Sequence, residues 1–170
     1  MWRRPSGLWS GLDRSDPRML NQIIRAASTA IHKAIALGWF FRRPKTYGAH
    51  AIALTPERRL ILVKLRYAPG WRMPGGGRDP DEPASDAALR ELREEIGMTS
   101  HGSVEPACDL EEEVDFKRDT CSLVIVRDVE YRPKRWSWEV EAVRDDPLDQ
   151  LPPDLAAPAR RWLEAVAARL

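Results

Sequence analysis

The stretch GGRDPDEPASDAALRELREEIGM, residues 76–98, decides the fold. Its second half reads as a helix over 84–96, with Ala88, Leu89, Leu92 and Ile96 on the apolar face and Gly97 as its stop. On a helix, residues i, i+3 and i+4 share a face, so Glu91, Glu94 and Glu95 converge on one patch. Three uncompensated carboxylates repel one another and raise each other's pKa. A divalent cation reverses that penalty, because its charge dominates the local field. An all-oxygen donor set suits magnesium, or manganese, rather than zinc.

A glutamate-rich helix can also be a solvated acidic face, here paired with Arg90 and Arg93. The preceding loop argues against that reading. Pro74-Gly75-Gly76-Gly77 lets backbone approach a metal or a phosphate closely, since glycine has no Cβ. Arg90 stands four residues before Glu94 and can brace it, or it can hold Glu82, which the loop brings back toward the helix.

The spacing runs Gly76, five residues, Glu82, seven residues, Arg90-Glu91-Leu92, one residue, Glu94-Glu95, one residue, Gly97-Met98. This resembles the Nudix box with every fixed position filled. Asp81 stands where the family usually has glycine, Pro83 where Ser or Thr often caps the helix, and Met98 is a loose match for an aliphatic residue. None of the three is a candidate metal ligand, and proline is tolerated in a first helical turn. The likeness extends through the lead-in Tyr67-Ala68-Pro69-Gly70-Trp71-Arg72-Met73-Pro74. It reaches Glu139-Val140 and Leu148-Asp149-Gln150-Leu151-Pro152 downstream, with Asp145 where an aromatic often stands. It covers about 47–170.

The resemblance implies an α/β/α sandwich with a mixed sheet. It also implies hydrolysis of a diphosphate linkage in a nucleoside-diphosphate-type substrate. Carried onto this chain, Glu91, Glu94 and Glu95 become metal ligands for magnesium or manganese, with the carbonyl of Gly75 or Gly76 as a further ligand. Glu91 is the favoured general base and Glu139 its rival, with Glu111, Glu112 and Glu113 as further candidates; Arg90 supports them. Arg66, Arg72 and Arg78 lie near the box and can touch phosphate oxygens, or can be ordinary surface arginines. Tyr67, Trp71 and Phe116 can stack on a base or pack in the core. The alternative from another class is a Nudix-fold sensor that binds a nucleotide without turnover. The intact carboxylate set argues against it, because a pure binder has no need of the full set.

Outward from the box, YGAHAIAL (47–54) and RLILVKL (59–65) flank Thr55-Pro56-Glu57-Arg58 and read as a β-hairpin. Further strands are expected near 103–110, 119–127 and 138–144, and an amphipathic helix over 158–170 with Trp162, Leu163 and Val166 inward. Residues 1–46 form a separate N-terminal extension before the domain at 47–170. Asp16-Pro17 starts a helix there, with Leu20, Ile23, Ile24, Ala27, Ile31, Ala34 and Ile35 along one side and Gly38 as its stop.

The 170 residues suit one domain plus an elaboration, with hydrophobic and charged shares of an ordinary soluble protein. Two cysteines, Cys108 and Cys121, are too few for a disulfide framework, and no CxxC pair suggests zinc; two reduced thiols in a cytoplasmic protein is the expected reading. The basic N-terminus lacks an apolar h-region, and Ile23–Phe41 is broken by Arg25, His32 and Lys33, so neither a secretory signal nor a span is expected. Residues 1–46 hold nine Lys/Arg against Asp13 and Asp16, a charge of +7, and the whole-chain +1 leaves −6 for the remainder. The basic segment can dock on an anionic membrane surface with Trp2, Trp9, Trp39, Phe40 and Phe41. The favoured reading is that it packs on its own acidic body or on the second subunit of a homodimer.

Overall fold

The computed structural model describes residues 45–114, 117–134 and 136–170; the expected helix over 17–37 and Phe116 lie outside these residues. Strand alternation sets the architecture. In β1 (Lys45–Ala53), Ala49, Ala51 and Ala53 face one core cluster while Ile52 and, just beyond the strand, Leu54 face another. In β2 (Arg59–Leu65), Ile61, Val63 and Leu65 join the first cluster and Leu60 and Leu62 the second. Strands apolar on both faces must be covered on both. The helix α1 (Ala84–Glu91) and its continuation supply Ala87, Ala88, Leu92 and Ile96 to the first cluster. The C-terminal helix α2 (Ala157–Val166) supplies Ala159, Trp162 and Val166 to the second. This is the expected α/β/α layering.

The remaining strands are β3 (Trp71–Arg72), β4 (Gly75–Gly77), β5 (Met98–Ser100), β6 (Val104–Val114), β7 (Lys117–Val126), β8 (Glu130–Tyr131) and β9 (Val140–Pro147). They form a four-stranded sheet in the order β4-β1-β7-β6, a three-stranded sheet β3-β2-β9 and a two-stranded ribbon β5-β8. The first sheet is mixed: β1 runs parallel to β7 and antiparallel to β4.

The turn expected after β1 is present, but the hairpin is not. Thr55 N–H donates to the Arg59 carbonyl at 2.9 Å, and Arg58 takes a positive φ of 59°. Beyond that turn the two strands share only the bridge Leu54–Leu60. β1 gives its edges to β4 and β7, and β2 gives its own to β3 and β9, so the chain changes sheet at the turn.

Residues 84–96 form one helical unit, but not a uniform α-helix. The last turn, Leu92–Ile96, widens to π geometry, and Gly97 N–H closes it onto the Leu92 carbonyl with Gly97 left-handed at φ 69°. Single π turns of this kind occur often at functional sites. Leu92 and Ile96 are fully buried beneath it. Burial of that size contributes about 1.5–3 kcal/mol per side chain. Packing therefore fixes the helix, since a segment this short is marginal on propensity alone. No helix among the described residues is long and apolar enough to cross a membrane. Cys121 is buried and Cys108 half-buried.

Candidate active site

The glycine loop becomes β4, paired with β1 in the register Gly48–Gly77, Ala49–Gly76 and His50–Gly75. This pairing carries the loop against the helix. Gly75 sits at φ 148°, and a Cβ there would lie 2.4 Å from the Ala49 carbonyl oxygen. A Cβ on Gly76 would lie 2.8 Å from Glu91 Oε1, so this glycine makes room for the carboxylate itself. From the other side, Gly75 N–H donates to Glu95 Oε2 at 2.8 Å.

Arg90 resolves the choice left by the sequence. Its Nε and Nη2 grip the two oxygens of Glu82 at 3.1 and 3.2 Å, Nη1 donates to Glu91 Oε1 at 2.6 Å, and Nη2 also reaches the Gly77 carbonyl at 3.0 Å. Arg90 thus ties the first glutamate of the box to the helix and to the glycine strand. These bonds to carboxylates raise its pKa further.

The carboxylates differ in their surroundings. Glu95 is 8% exposed. Burial is the largest cause pushing its pKa up to about 8; the Gly75 N–H opposes this, and Glu91, Glu139 and Glu94 add to it. Glu91 is raised as well, chiefly by burial, against the lowering effect of Arg90. Glu94 is exposed. Glu139, just ahead of β9, accepts a hydrogen bond from the Tyr67 hydroxyl at 2.7 Å. Burial and this carboxylate together raise the Tyr67 pKa.

Glu91, Glu94 and Glu139 line one open cleft of about 1460 Å³ together with Gly75, Gly76, Tyr67, Arg72 and Arg78. Glu95 lies behind this lining. Arg72 Nε is buried with no hydrogen-bond partner among the described residues. Arg78 is already engaged: Nη1 donates to the Glu82 carbonyl at 3.0 Å, and its guanidinium lies 5.3 Å from the Tyr47 ring centroid. Two further candidates stand apart from the cleft lining. Arg66 is buried and donates through Nε to the Ser137 carbonyl at 3.0 Å. Trp71 packs near the second core cluster, with Lys64 Nζ 5.7 Å and Arg144 5.2 Å from its ring. Glu111 is exposed and outside the lining; the side chains of Glu112 and Glu113 fall outside the described residues.

Sequence reading missed part of the cleft wall. His50 and Trp162 both line it, with ring centroids 4.4 Å apart. His50 comes from β1 and Trp162 from α2, so no local spacing links them.

The donor set fits a hard divalent cation. Neighbouring carboxylates add to the raised pKa of Glu91 and Glu95, and the glycine backbone beside them carries no Cβ. Among the described residues no three such side chains are drawn into a finished cage.

A family model for the NUDIX domain matches residues 44–166. The chain belongs to the Nudix family. A Bacillus subtilis protein named as an 8-oxo-dGTP diphosphatase is 46% identical over 55 residues, 32% of this chain and 37% of that protein. An RNA pyrophosphohydrolase of Brucella ovis is 56% identical over 39 residues, 23% of this chain and 22% of that protein. The match thus spans little more than a third of the first relative's length and less than a quarter of the second's. Among solved structures, a MutT Nudix hydrolase from Burkholderia pseudomallei superposes with a TM-score of 0.61 at 26% identity, covering 72% of this chain and 98% of that one. A bifunctional NMN adenylyltransferase/ADP-ribose pyrophosphatase from Francisella tularensis, complexed with AMP and manganese, shares the Nudix fold. Its TM-score is 0.60 at 14% identity, over 91% of this chain and 50% of that one.

Proposed function

We propose that this Nudix protein is a divalent-cation-dependent pyrophosphohydrolase. It would cleave the diphosphate linkage of a nucleoside-diphosphate-type substrate by attack of water on phosphorus. The observation that carries this reading is the carboxylate set: Glu91, Glu94 and Glu139 line the cleft, Glu95 lies behind them, and Arg90, shared with Glu82, pairs with Glu91. Glu91, Glu94 and Glu95 would hold magnesium or manganese, with a Gly75 or Gly76 carbonyl as a further ligand. The bound cation would supply neutralisation of the diphosphate oxygens.

The chain's own residues do the rest. Glu91 takes the proton of the attacking water; burial makes its carboxylate more basic, and Arg90 fixes its direction. Glu139, oriented by Tyr67, is the alternative base. Arg72, which lines the cleft and whose Nε has no partner among the described residues, offers its guanidinium to a phosphate oxygen. Arg78 supports the loop around Glu82 and reaches substrate only at the cleft rim. Residues 1–43, ahead of β1, would stand outside the chemistry and pack on the domain or on a second copy of the chain.

The test is phosphate or nucleotide release in magnesium or manganese. The panel would hold nucleoside triphosphates, ADP-ribose, dinucleoside polyphosphates and 5′-triphosphorylated RNA. Metal-dependent turnover of at least one class is expected, with a raised KM for Arg72→Ala. Tight binding across the panel without turnover would make the protein a sensor instead.

A further inference from the structure

Trp136 and Trp138 are the large hydrophobic side chains left exposed among the described residues, at 49% and 71%. Their indoles meet edge to face with centroids 4.6 Å apart, which leaves flat ring faces open to solvent. The loop that carries them is basic, with Arg132 and Lys134 exposed. It is also anchored at both ends to the site. Arg132 N–H donates to the carbonyl of Gly97, the residue that closes the carboxylate helix, at 3.0 Å. At the other end the loop runs into Glu139, which lines the cleft.

Between the two indoles the backbone is held. Arg66 Nε donates to the Ser137 carbonyl at 3.0 Å, and Ser137 Oγ accepts from Glu139 and Val140 N–H at 3.2 and 3.1 Å. Fixed aromatic faces among exposed cations, outside the cleft but one residue from its wall, match the chemistry of single-stranded nucleic-acid binding. There bases stack on rings and cations meet the backbone. A lone nucleotide, with its phosphates at the carboxylates, has no need of a surface outside the cleft.

We propose that Trp136 and Trp138 form a stacking platform for single-stranded RNA whose 5′ phosphates enter the cleft. This rests on the pyrophosphohydrolase reading for the role of the cleft, but the platform is read out by binding alone. The probe is oligo(A) RNA with a 5′ monophosphate and a 3′ fluorescein, followed by anisotropy with the full chain. Trp136→Ala/Trp138→Ala should weaken binding at least about tenfold, while Trp136→Phe/Trp138→Phe, which keeps ring faces, should stay within a few-fold of the parent. Arg132→Ala/Lys134→Ala should flatten the salt dependence. Circular dichroism confirms that each variant is folded.

Absence of binding by the parent protein, equal binding by the Ala and parent proteins, or equal affinity for duplex RNA would overturn the platform. So would loss of co-sedimentation with phosphatidylglycerol vesicles in the Ala variant while RNA binding persists, which would make the pair a membrane anchor. Failure of the hydrolase reading looks different: RNA binds through the tryptophans, and no phosphate is released from any substrate.

Discussion

Two acidic clusters of this molecule are built in opposite ways. On β9, Asp145 pairs with Arg59 and accepts a hydrogen bond from the Tyr131 hydroxyl at 2.7 Å, and its neighbour Asp146 pairs with Arg144. Burial pushes the Asp145 pKa up, yet Tyr131 and Arg59 outweigh it and hold the carboxyl below its usual range. At the cleft, Glu91, Glu94 and Glu139 line the wall with Glu95 behind them, and Arg90, which already serves Glu82, pairs with Glu91. There the balance tips the other way, and Glu91 and Glu95 are raised. The same fold neutralises one pair of carboxylates with its own cations and leaves the other set short of positive charge. On the proposed function, the second set is short of the charge that a metal-bound ligand would bring.

That contrast can be broken most directly at the cleft. Glu94→Gln or Glu95→Gln should lower turnover at least about a hundredfold, since even groups that merely support a metal ligand commonly cost ten- to a hundredfold. Circular dichroism should be unchanged, because neither change removes a packing group. Near-normal rates for both at millimolar magnesium would dissolve the distinction between the clusters. Glu91→Gln should cost more in kcat than Glu139→Gln if Glu91 is the base; the reverse order would transfer the role to Glu139.

A subtler separation lies in pH. The folded pKa of Glu95, about 8, stands above its ordinary 4.5, so its contribution to metal-free stability is full below that ordinary value and is lost as pH rises toward 8. Asp145 is depressed below its ordinary 3.8, so its contribution is present above that value and is lost as pH falls through the folded pKa. Thermal unfolding in chelator should therefore show Glu95→Gln flattening the neutral limb and Asp145→Asn flattening the acid limb. Magnesium should raise Tm more at pH 8 than at pH 6 in the parent protein and hardly at all in Glu95→Gln. A parent curve with no slope between pH 5 and 8 in chelator would refute the assignment.

Asp145→Asn itself should cost about 1–2 kcal/mol in urea unfolding, the scale of a hydrogen bond to a charged group discounted for the partial exposure of the Arg59–Asp145 pair, with kcat/KM within twofold of the parent. The smallest effect on chemistry is expected from trimming residues 1–43, just ahead of β1. Solubility or solution mass should change more than turnover of the folded remainder. Unchanged mass by light scattering together with complete loss of turnover would place that segment in the active site.

What the sequence disclosed was local. The helix, its glycine stop and the glutamate spacing were readable because the chemistry lies within one segment, and the strand positions followed from apolar runs. The pairing of strands was not readable. β1 finds its parallel partner β7 some seventy residues away, so two adjacent runs and a good turn imitate a hairpin. Arg90 could serve Glu94 or Glu82 by spacing alone, and only the return of the loop decides for Glu82. Trp71 looked equally suited to stacking or to packing; its backbone bonds to Asp154 and Ala156 turn it toward α2. Trp162 and His50 meet only because two elements far apart in sequence wall the same cleft.

The hydrogen bond from Gly75 to Glu95 bears on how portable the motif is. The signature is contiguous in the chain, yet the amide that grips its last glutamate is held in place by β1, some twenty-five residues upstream. Cut out as a peptide, residues 76–98 would keep every signature letter and lose the strand that presses the glycines against the carboxylates. Transplanted onto another scaffold, the segment would need a neighbouring strand in the same register, with backbone rather than side chain facing Gly75. The unit that can be moved is the box together with the strand it leans on.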